Sequence, residues 1–370
     1  ALPVHAPIPG RVRDIGRVQL FDGTYSTAMS IELDGEFDRL GKRLDPVEWT
    51  DLSRDELLKR IRAAGVVCGP RSAAPAHLFF GPQRPRGDRV LVLDLAEAEP
   101  YLTGGIEQAV AASDAVLTGV QIVAAILSTS RVHIVIARGH IRRLEKLRRS
   151  ARNAGYRVHR VARRYPGITD ASSRSFVRRN GVDGDTDDDL FIISPNTAYA
   201  IYEAIVFDKP QIDQVIAVGG SAVRRPAHVR VRIGTSIADV LAECGGLIAE
   251  PARIIAGGPL TGREIMNVNA PLTKTTAAVV AMKPGEMHVG GRQEPCIGCG
   301  ACARACPVQL DPQLLHRHIV AGRTSEAVTA GLPDCIECGL CAHVCPSRIP
   351  LTQRFRAVKR TQPVANEEDL

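Results

Sequence analysis

Between residues 46 and 208 the chain alternates short apolar runs with longer amphipathic stretches. Val90 to Leu95, Val132 to Ala137, Tyr156 to Ala162 and Phe191 to Ser194 read as strands. Gly105 to Leu127 and His140 to Ala154 read as intervening helices. Asn196 to Val206 reads as a further helix, with Asn196 near its cap. An earlier helix opens at Ser53-Arg54-Asp55-Glu56, a capping box, carries Leu57, Leu58 and Ile61 on one face, and stops at Gly65. Strand–helix–strand alternation at these lengths predicts a parallel α/β sheet.

The pattern changes on both sides of this region. Residues 1–45 look β-rich, with Pro7, Pro9, Gly10 and Gly16 as turn punctuation and a strand from Ser26 to Leu33. Residues 209–285 read as a small α+β module. Its strands are Gln214 to Val218 and Val229 to Ile233, its helix Ile237 to Glu243 is capped by Thr235 or Ser236, and a turn falls at Gly257-Gly258-Pro259. Residues 286–355 hold the cysteines. There Asp311-Pro312 starts a helix whose buried side is Leu314, Leu315, His318 and Ile319, and a second short helix spans Ser325 to Ala330. Residues 356–370 form a tail.

Composition narrows the class. The 370 residues carry a formal charge of +7, and no apolar run reaches the length of a bilayer span. Six Tyr, eight Phe and one Trp leave no aromatic-studded basic patch, which argues against nucleic acid. The ten His show no metal-binding spacing. The basic helix at 141–149 reads as a solvated face, with docking on an acidic partner as the alternative. Cys68 and Cys244 stand alone, and free thiols point to a reducing, cytoplasmic compartment.

The other eight cysteines change the picture most. Cys296, Cys299, Cys302 and Cys306, then Cys335, Cys338, Cys341 and Cys345, repeat the spacing C-x2-C-x2-C-x3-C-P. That is the bacterial ferredoxin pattern for a [4Fe-4S] cluster, in which the fourth cysteine serves the other cluster. The expected ligand sets are therefore Cys296, Cys299, Cys302 and Cys345 on one cluster, and Cys335, Cys338, Cys341 and Cys306 on the other. Disulfides would not need two identical runs, and zinc ribbons use pairs rather than quartets.

Further stretches carry a more specific resemblance. They are His5 to Gly10 (HAPIPG), Ala96 to Leu102 (AEAEPYL), Asn196 to Ile205 (NTAYAIYEAI), Arg232 to Thr235 (RIGT), Gly257 to Gly262 (GGPLTG) and Pro271 to Lys274 (PLTK). With both cysteine runs, they resemble the RnfC family of the Rnf ion-translocating electron-transport complex, which is related to the flavin-binding subunit of respiratory complex I. The resemblance implies a partial β-sandwich at the N-terminus, whose initial half the chain lacks. A Rossmann-like flavin-domain fold, a small β-grasp-like (SLBB-type) module and a two-cluster ferredoxin-like helical domain follow. It also implies a peripheral position on the inner face of the cell membrane, held there by membrane-embedded partner subunits. NAD(H) would deliver a hydride to FMN, and single electrons would pass to the clusters.

The chain departs from the family where the flavin should sit. The family loop of the form GxGGAGFPT falls on Cys68 to Ala76, where only Gly69 and Pro75 keep their places. Each lost glycine adds a Cβ, and Pro70 deletes an amide donor. The implied FMN or NADH contacts are Gly69, Arg71, Glu97, Glu99, Asn196 and Thr197. Three functions follow as expectations. The first is an electron conduit fed by a ferredoxin-like or flavoprotein partner, the second an NADH-oxidising FMN subunit, and the third a structural iron–sulfur adaptor.

Overall fold

The computed structural model describes residues 2–35, 45–69, 74–81, 89–97, 99–163, 165–166, 190–286 and 292–361. The chain forms two compact units, one built from residues up to Lys283 and one from Pro284 onward.

The first unit begins with an antiparallel hairpin of β1 (Gly10–Gln19) and β2 (Tyr25–Leu33), irregular between Val12 and Asp14. Within the expected β-rich module the described strands are this pair alone. Asp22 closes its turn by accepting from the Thr24 amide and hydroxyl, and Arg263 pairs with Asp22 at 3.0 Å.

Helix α1 (Arg54–Ala63) starts at the expected capping box. The Glu56 carboxylate accepts from the Ser53 amide at 2.8 Å, and the Ser53 hydroxyl accepts from the Glu56 amide. Short α2 (Ala76–Phe79) follows. The parallel sheet then has the order β5–β4–β3–β6, from β3 (Val90–Leu95), β4 (Val132–Ala137), β5 (Arg157–Val161) and β6 (Leu190–Ile193). β4 is buried along its whole length and β3 at all but one position, as strands covered on both faces must be. The edge strand β5 instead exposes Arg157 and Arg160, charges that discourage further pairing.

The helix expected over Gly105 to Leu127 is two helices. These are α3 (Gly104–Ala111) and α4 (Ser113–Leu127), bent by 102°. Ala112 leaves helical geometry at φ −135° and ψ 50°, and the Ser113 hydroxyl donates to the Ala109 carbonyl at 2.8 Å. Both residues are tolerated in a helix, so tertiary packing and not composition sets the break. Among the described residues no single helix is long and apolar enough to cross a membrane. The bent pair has the required length and composition, but Ile106, Val116, Val120, Ile122, Val123 and Ile126 belong to the protein core.

Helices α5 (Glu145–Asn153) and α6 (Pro195–Val206) complete the α/β layer. The cap of α6 is Ser194, whose hydroxyl accepts from the Thr197 amide at 3.1 Å. Asn196 does not cap; its Nδ2 donates to the Val215 carbonyl at 3.1 Å.

The remaining sheet has the order β10–β9–β11–β7–β8. Its strands are β7 (Asp213–Gly219), β8 (Ala227–Arg232), β9 (Arg253–Ala256), β10 (Arg263–Glu264) and β11 (Ala278–Met282), with α7 (Ile237–Glu243) between β8 and β9. Ser236 is the cap of α7. Central β11 runs parallel to β7 and antiparallel to β9. Sequence reading misses β11, because a five-residue apolar run has no period to distinguish it.

The second unit is helical: α8 (Ala301–Ala305), α9 (Pro312–Val320), α10 (Thr324–Thr329), α11 (Leu340–His343) and α12 (Leu351–Thr361). Asp311 caps α9 as expected, accepting from Gln313 and Leu314 amides. Leu315 is buried in the core, whereas Leu314, expected beside it, is exposed. Helix α12 runs across the expected boundary at 355.

Candidate iron–sulfur site and candidate flavin contacts

The two cysteine loops adopt the same backbone. Left-handed φ values occur at Gly298 and Glu337, at Gly300 and Gly339, and at Gln309 and Arg348, each pair occupying equivalent positions of the repeat. Gly300 precedes α8 and Gly339 precedes α11, so Cys302 and Cys341 ride on equivalent helical turns. The chain leaves both turns alike, with the Cys306 amide donating to the Ala303 carbonyl and the Cys345 amide to the Ala342 carbonyl. Left-handed Glu337, Gln309 and Arg348 carry a strain of about 1–3 kcal/mol each, which clusters at functional sites.

A small hollow is lined by Cys296, Cys299, Cys302 and Cys345. The first run's three leading cysteines thus meet the second run's last one. Cys306 holds the equivalent place in the repeat, and its sulfur accepts from the Leu310 amide at 3.3 Å. Among the described residues no three His, Cys, Asp or Glu side chains gather closely enough for one metal ion, and no disulfide forms. Four thiols around an open hollow match a cubane, whose irons hold their sulfurs farther apart than one ion would. Burial pushes the Cys341 thiol up to about 12 and raises Cys335 and Cys302 in the same direction. Iron must displace those protons, since only thiolates ligate.

The loops differ in their surroundings. Cys296 and Cys299 are exposed, and the Ile297 side chain between them is 71% exposed. Cys338 and Cys341 are buried, with the Cys341 sulfur 3.6 Å from the Thr352 hydroxyl on α12. Arg356 and Lys359 of the same helix pair with Glu337 at 2.8 and 3.5 Å. Sequence reading overlooked this clamp. Its one readable signal is Glu337 standing where the first run has Gly298.

In the first unit, Gly69, Glu97, Asn196 and Thr197 gather around the start of α6. Gly69 has φ +88°, and a Cβ there would lie 3.3 Å from both the Ser194 and Thr197 hydroxyl oxygens. Glu97, at φ 31°, is part-exposed as a residue, but its Oε2 is enclosed and has no hydrogen-bond partner among the described residues. Oδ1 of Asn196 is likewise enclosed without a partner among the described residues. Burial pushes the Glu97 carboxyl up to about 8 against the Ile106 and Gly105 amides, with Asp94 adding to the push. Arg71 lies outside the described residues.

Glu99 is already engaged. Its carboxylate accepts from the Leu260 and Thr261 amides, both at 2.9 Å, and from the Thr261 hydroxyl at 2.5 Å. A Cβ at Gly258 would collide with this carboxylate, so the turn needs glycine there for close approach.

The raised Glu97 carboxyl has a consequence for stability. Folded protein keeps this proton until about pH 8, whereas an unfolded glutamate loses it near pH ~4.3. Wild-type stability therefore falls as pH rises through this window. Glu97→Gln is expected to flatten that fall, in denaturation curves taken at about pH 5 and about pH 8. Equal pH dependence in both proteins would refute the assignment.

Three protein-family models match successive parts of the chain. Residues 61–173 match the Nuo51 FMN-binding domain, 215–267 the NQRA C-terminal domain, and 295–349 a 4Fe-4S dicluster domain. The C component of the ion-translocating oxidoreductase complex of Rhodobacter capsulatus is 32% identical over 96% of this chain and 70% of its own length. The chain belongs to the RnfC family of ion-translocating oxidoreductase complexes. Another member, the C component of the proton-translocating ferredoxin:NAD(+) oxidoreductase complex of Clostridium ljungdahlii, is 30% identical over 84% of the chain and 69% of its own length. The Klebsiella pneumoniae RnfC protein is longer: the match takes in 100% of this chain but 49% of that protein. An NAD+-reducing [NiFe]-hydrogenase structure shares the fold, with a TM-score of 0.54 at 13% identity over 83% of this chain and 60% of that one.

Proposed function

We propose that this RnfC protein is the iron–sulfur electron-transfer component of such a complex. One [4Fe-4S] cluster is held by Cys296, Cys299, Cys302 and Cys345, the other by Cys335, Cys338, Cys341 and Cys306. The observation that carries this reading is the hollow where Cys345 joins the first-run thiols. Bound clusters supply one-electron transfer. The chain's part is to hold eight thiolates on a repeated, partly strained backbone and to leave one set near the surface. Exposed Cys296, Ile297 and Cys299 offer the short approach an electron partner needs. The other subunits of the complex are the partners, and they place this protein peripherally on the inner face of the membrane. Purified protein is expected to carry about eight iron atoms per chain. Iron near two atoms, or zinc in its place, would overturn the reading.

A second reading adds FMN, and the unpartnered Glu97 Oε2 and Asn196 Oδ1 favour it. Buried polar atoms without partners are costly, and these suit a ligand that donates to Asn196 Oδ1 and accepts from the protonated Glu97 carboxyl. Gly69, Glu97, Asn196 and Thr197 would hold the group. Bound FMN couples two-electron hydride chemistry to one-electron carriers. Against this stands the loop after Gly69, which offers Pro70, Arg71 and Ala73 where the family pattern has glycines. Electrons then reach the clusters from a ferredoxin-like or flavoprotein partner. Protein purified without stripping is expected to lack stoichiometric flavin absorbance. One flavin per chain, with clusters bleached by NADH, would establish the second reading instead.

A further inference from the structure

Among the described residues, the clamp on the second cysteine loop has no counterpart of the same kind on the first. Arg356 Nε meets Glu337 Oε2 at 2.8 Å, while Lys359 Nζ lies 3.5 Å from Glu337 Oε1 and donates to the Cys335 carbonyl at 2.8 Å. These side chains are 17%, 28% and 30% exposed for Arg356, Lys359 and Glu337 respectively, so solvent screens them incompletely. On the first loop the equivalent of Glu337 is Gly298, and the cation at a ligand carbonyl is the exposed Arg304, donating to Cys299 O at 3.1 Å.

We propose that Glu337, Arg356 and Lys359 are positioning residues that set the reduction potential of the second-run cluster separately from that of the first. This rests on the assignment of a cluster to Cys335, Cys338, Cys341 and Cys306. Reduction adds one negative charge to a cluster. A fixed cation nearby stabilises the reduced form and a carboxylate opposes it, and net charge around the sulfurs is a main determinant of cluster potential. The clamp sets two cations and one carboxylate against one loop only.

Two single variants of the full, cluster-loaded chain test this. Glu337→Gly installs the first loop's own residue at a left-handed position, relieving strain while removing the negative charge. Lys359→Gln removes a cation and keeps a donor for the Cys335 carbonyl. In redox titrations read by electron paramagnetic resonance, Glu337→Gly is expected to move the second-run midpoint to higher potential. Lys359→Gln is expected to move it lower, and the first-run midpoint should stay in place. Packing damage alone would not give opposite signs. Unchanged midpoints, shifts of the same sign, or equal shifts of both clusters would overturn the inference. Absence of a second cluster signal in the wild type would instead overturn the ligand assignment on which it rests.

Discussion

Cys345→Ala is expected to abolish the cluster of the first run, not that of its own. The hollow lined by Cys296, Cys299, Cys302 and Cys345 leaves an iron without its fourth thiolate when residue 345 loses its sulfur. Iron should fall from about eight atoms per chain to about four. The identity of the survivor is read by matching spectra. Cys345→Ala should resemble Cys299→Ala and differ from Cys338→Ala, while Cys306→Ala should do the reverse. A Cys345→Ala spectrum matching Cys338→Ala would sink crossed ligation. The variant should also unfold more readily, because the second unit's core is small: Leu315, Ala327, Leu332, Cys341, Ile349, Leu351 and Phe355 are its buried members. Domains with so little apolar core depend on metal for folding free energy, so losing one cluster weakens the whole unit.

The gathering of Cys345 with the first-run thiols could be expected because its chemistry is local and repeated. Spacing alone places three thiols on one loop, and the ferredoxin pattern supplies the fourth. The parallel sheet was legible for a similar reason: β3 and β4 are apolar nearly throughout, and the caps at Ser53 and Asp311 mark helix starts directly. What escaped depends on distant partners. Glu99 looked like a ligand residue because nothing near it in the chain shows that Leu260 and Thr261 occupy its carboxylate. Asn196 looked like a cap, but Ser194 is placed two residues earlier and takes the amide. Helix α12 was hidden by its arginines, whose stems and charges make sense only against the cysteine loop they clamp. The residues expected to contact a flavin fall between these cases. Sequence pointed to Glu97, Asn196 and Thr197, but only the fold shows Glu97 and Asn196 ending in enclosed, unpartnered oxygens.

Lys209→Met is expected to destabilise the first unit by about 3–5 kcal/mol, the usual cost of removing one partner from a buried ion pair. Lys209 is 2% exposed and donates to Glu203 Oε2 at 2.8 Å and Asp213 Oδ2 at 2.7 Å, joining the end of α6 to the start of β7. Its loss strands two carboxylates unequally. Asp213 keeps direct ion pairs with Arg230 at 2.9 Å and Arg232 at 3.5 Å, whereas Glu203 keeps the Tyr199 hydroxyl at 3.1 Å and the more distant charge of Arg230. Most of the cost should therefore sit on Glu203, and adding Glu203→Gln to Lys209→Met should recover more than half of it. The pH profile supplies an independent check. Burial alone would raise the Asp213 carboxyl, but the hydrogen bond and charge of Lys209, helped by Arg230, hold it below its ordinary value. Its contribution to stability is present above the unfolded carboxylate range near pH ~3.9 and is lost as pH falls through the lower folded value. Without Lys209 the folded value moves up toward the unfolded one, so this acid loss of stability should shrink. Urea denaturation of the three proteins measures both effects. A Lys209→Met cost below about 1 kcal/mol, the range of exposed pairs, would show that the lysine is not the tie between α6 and β7.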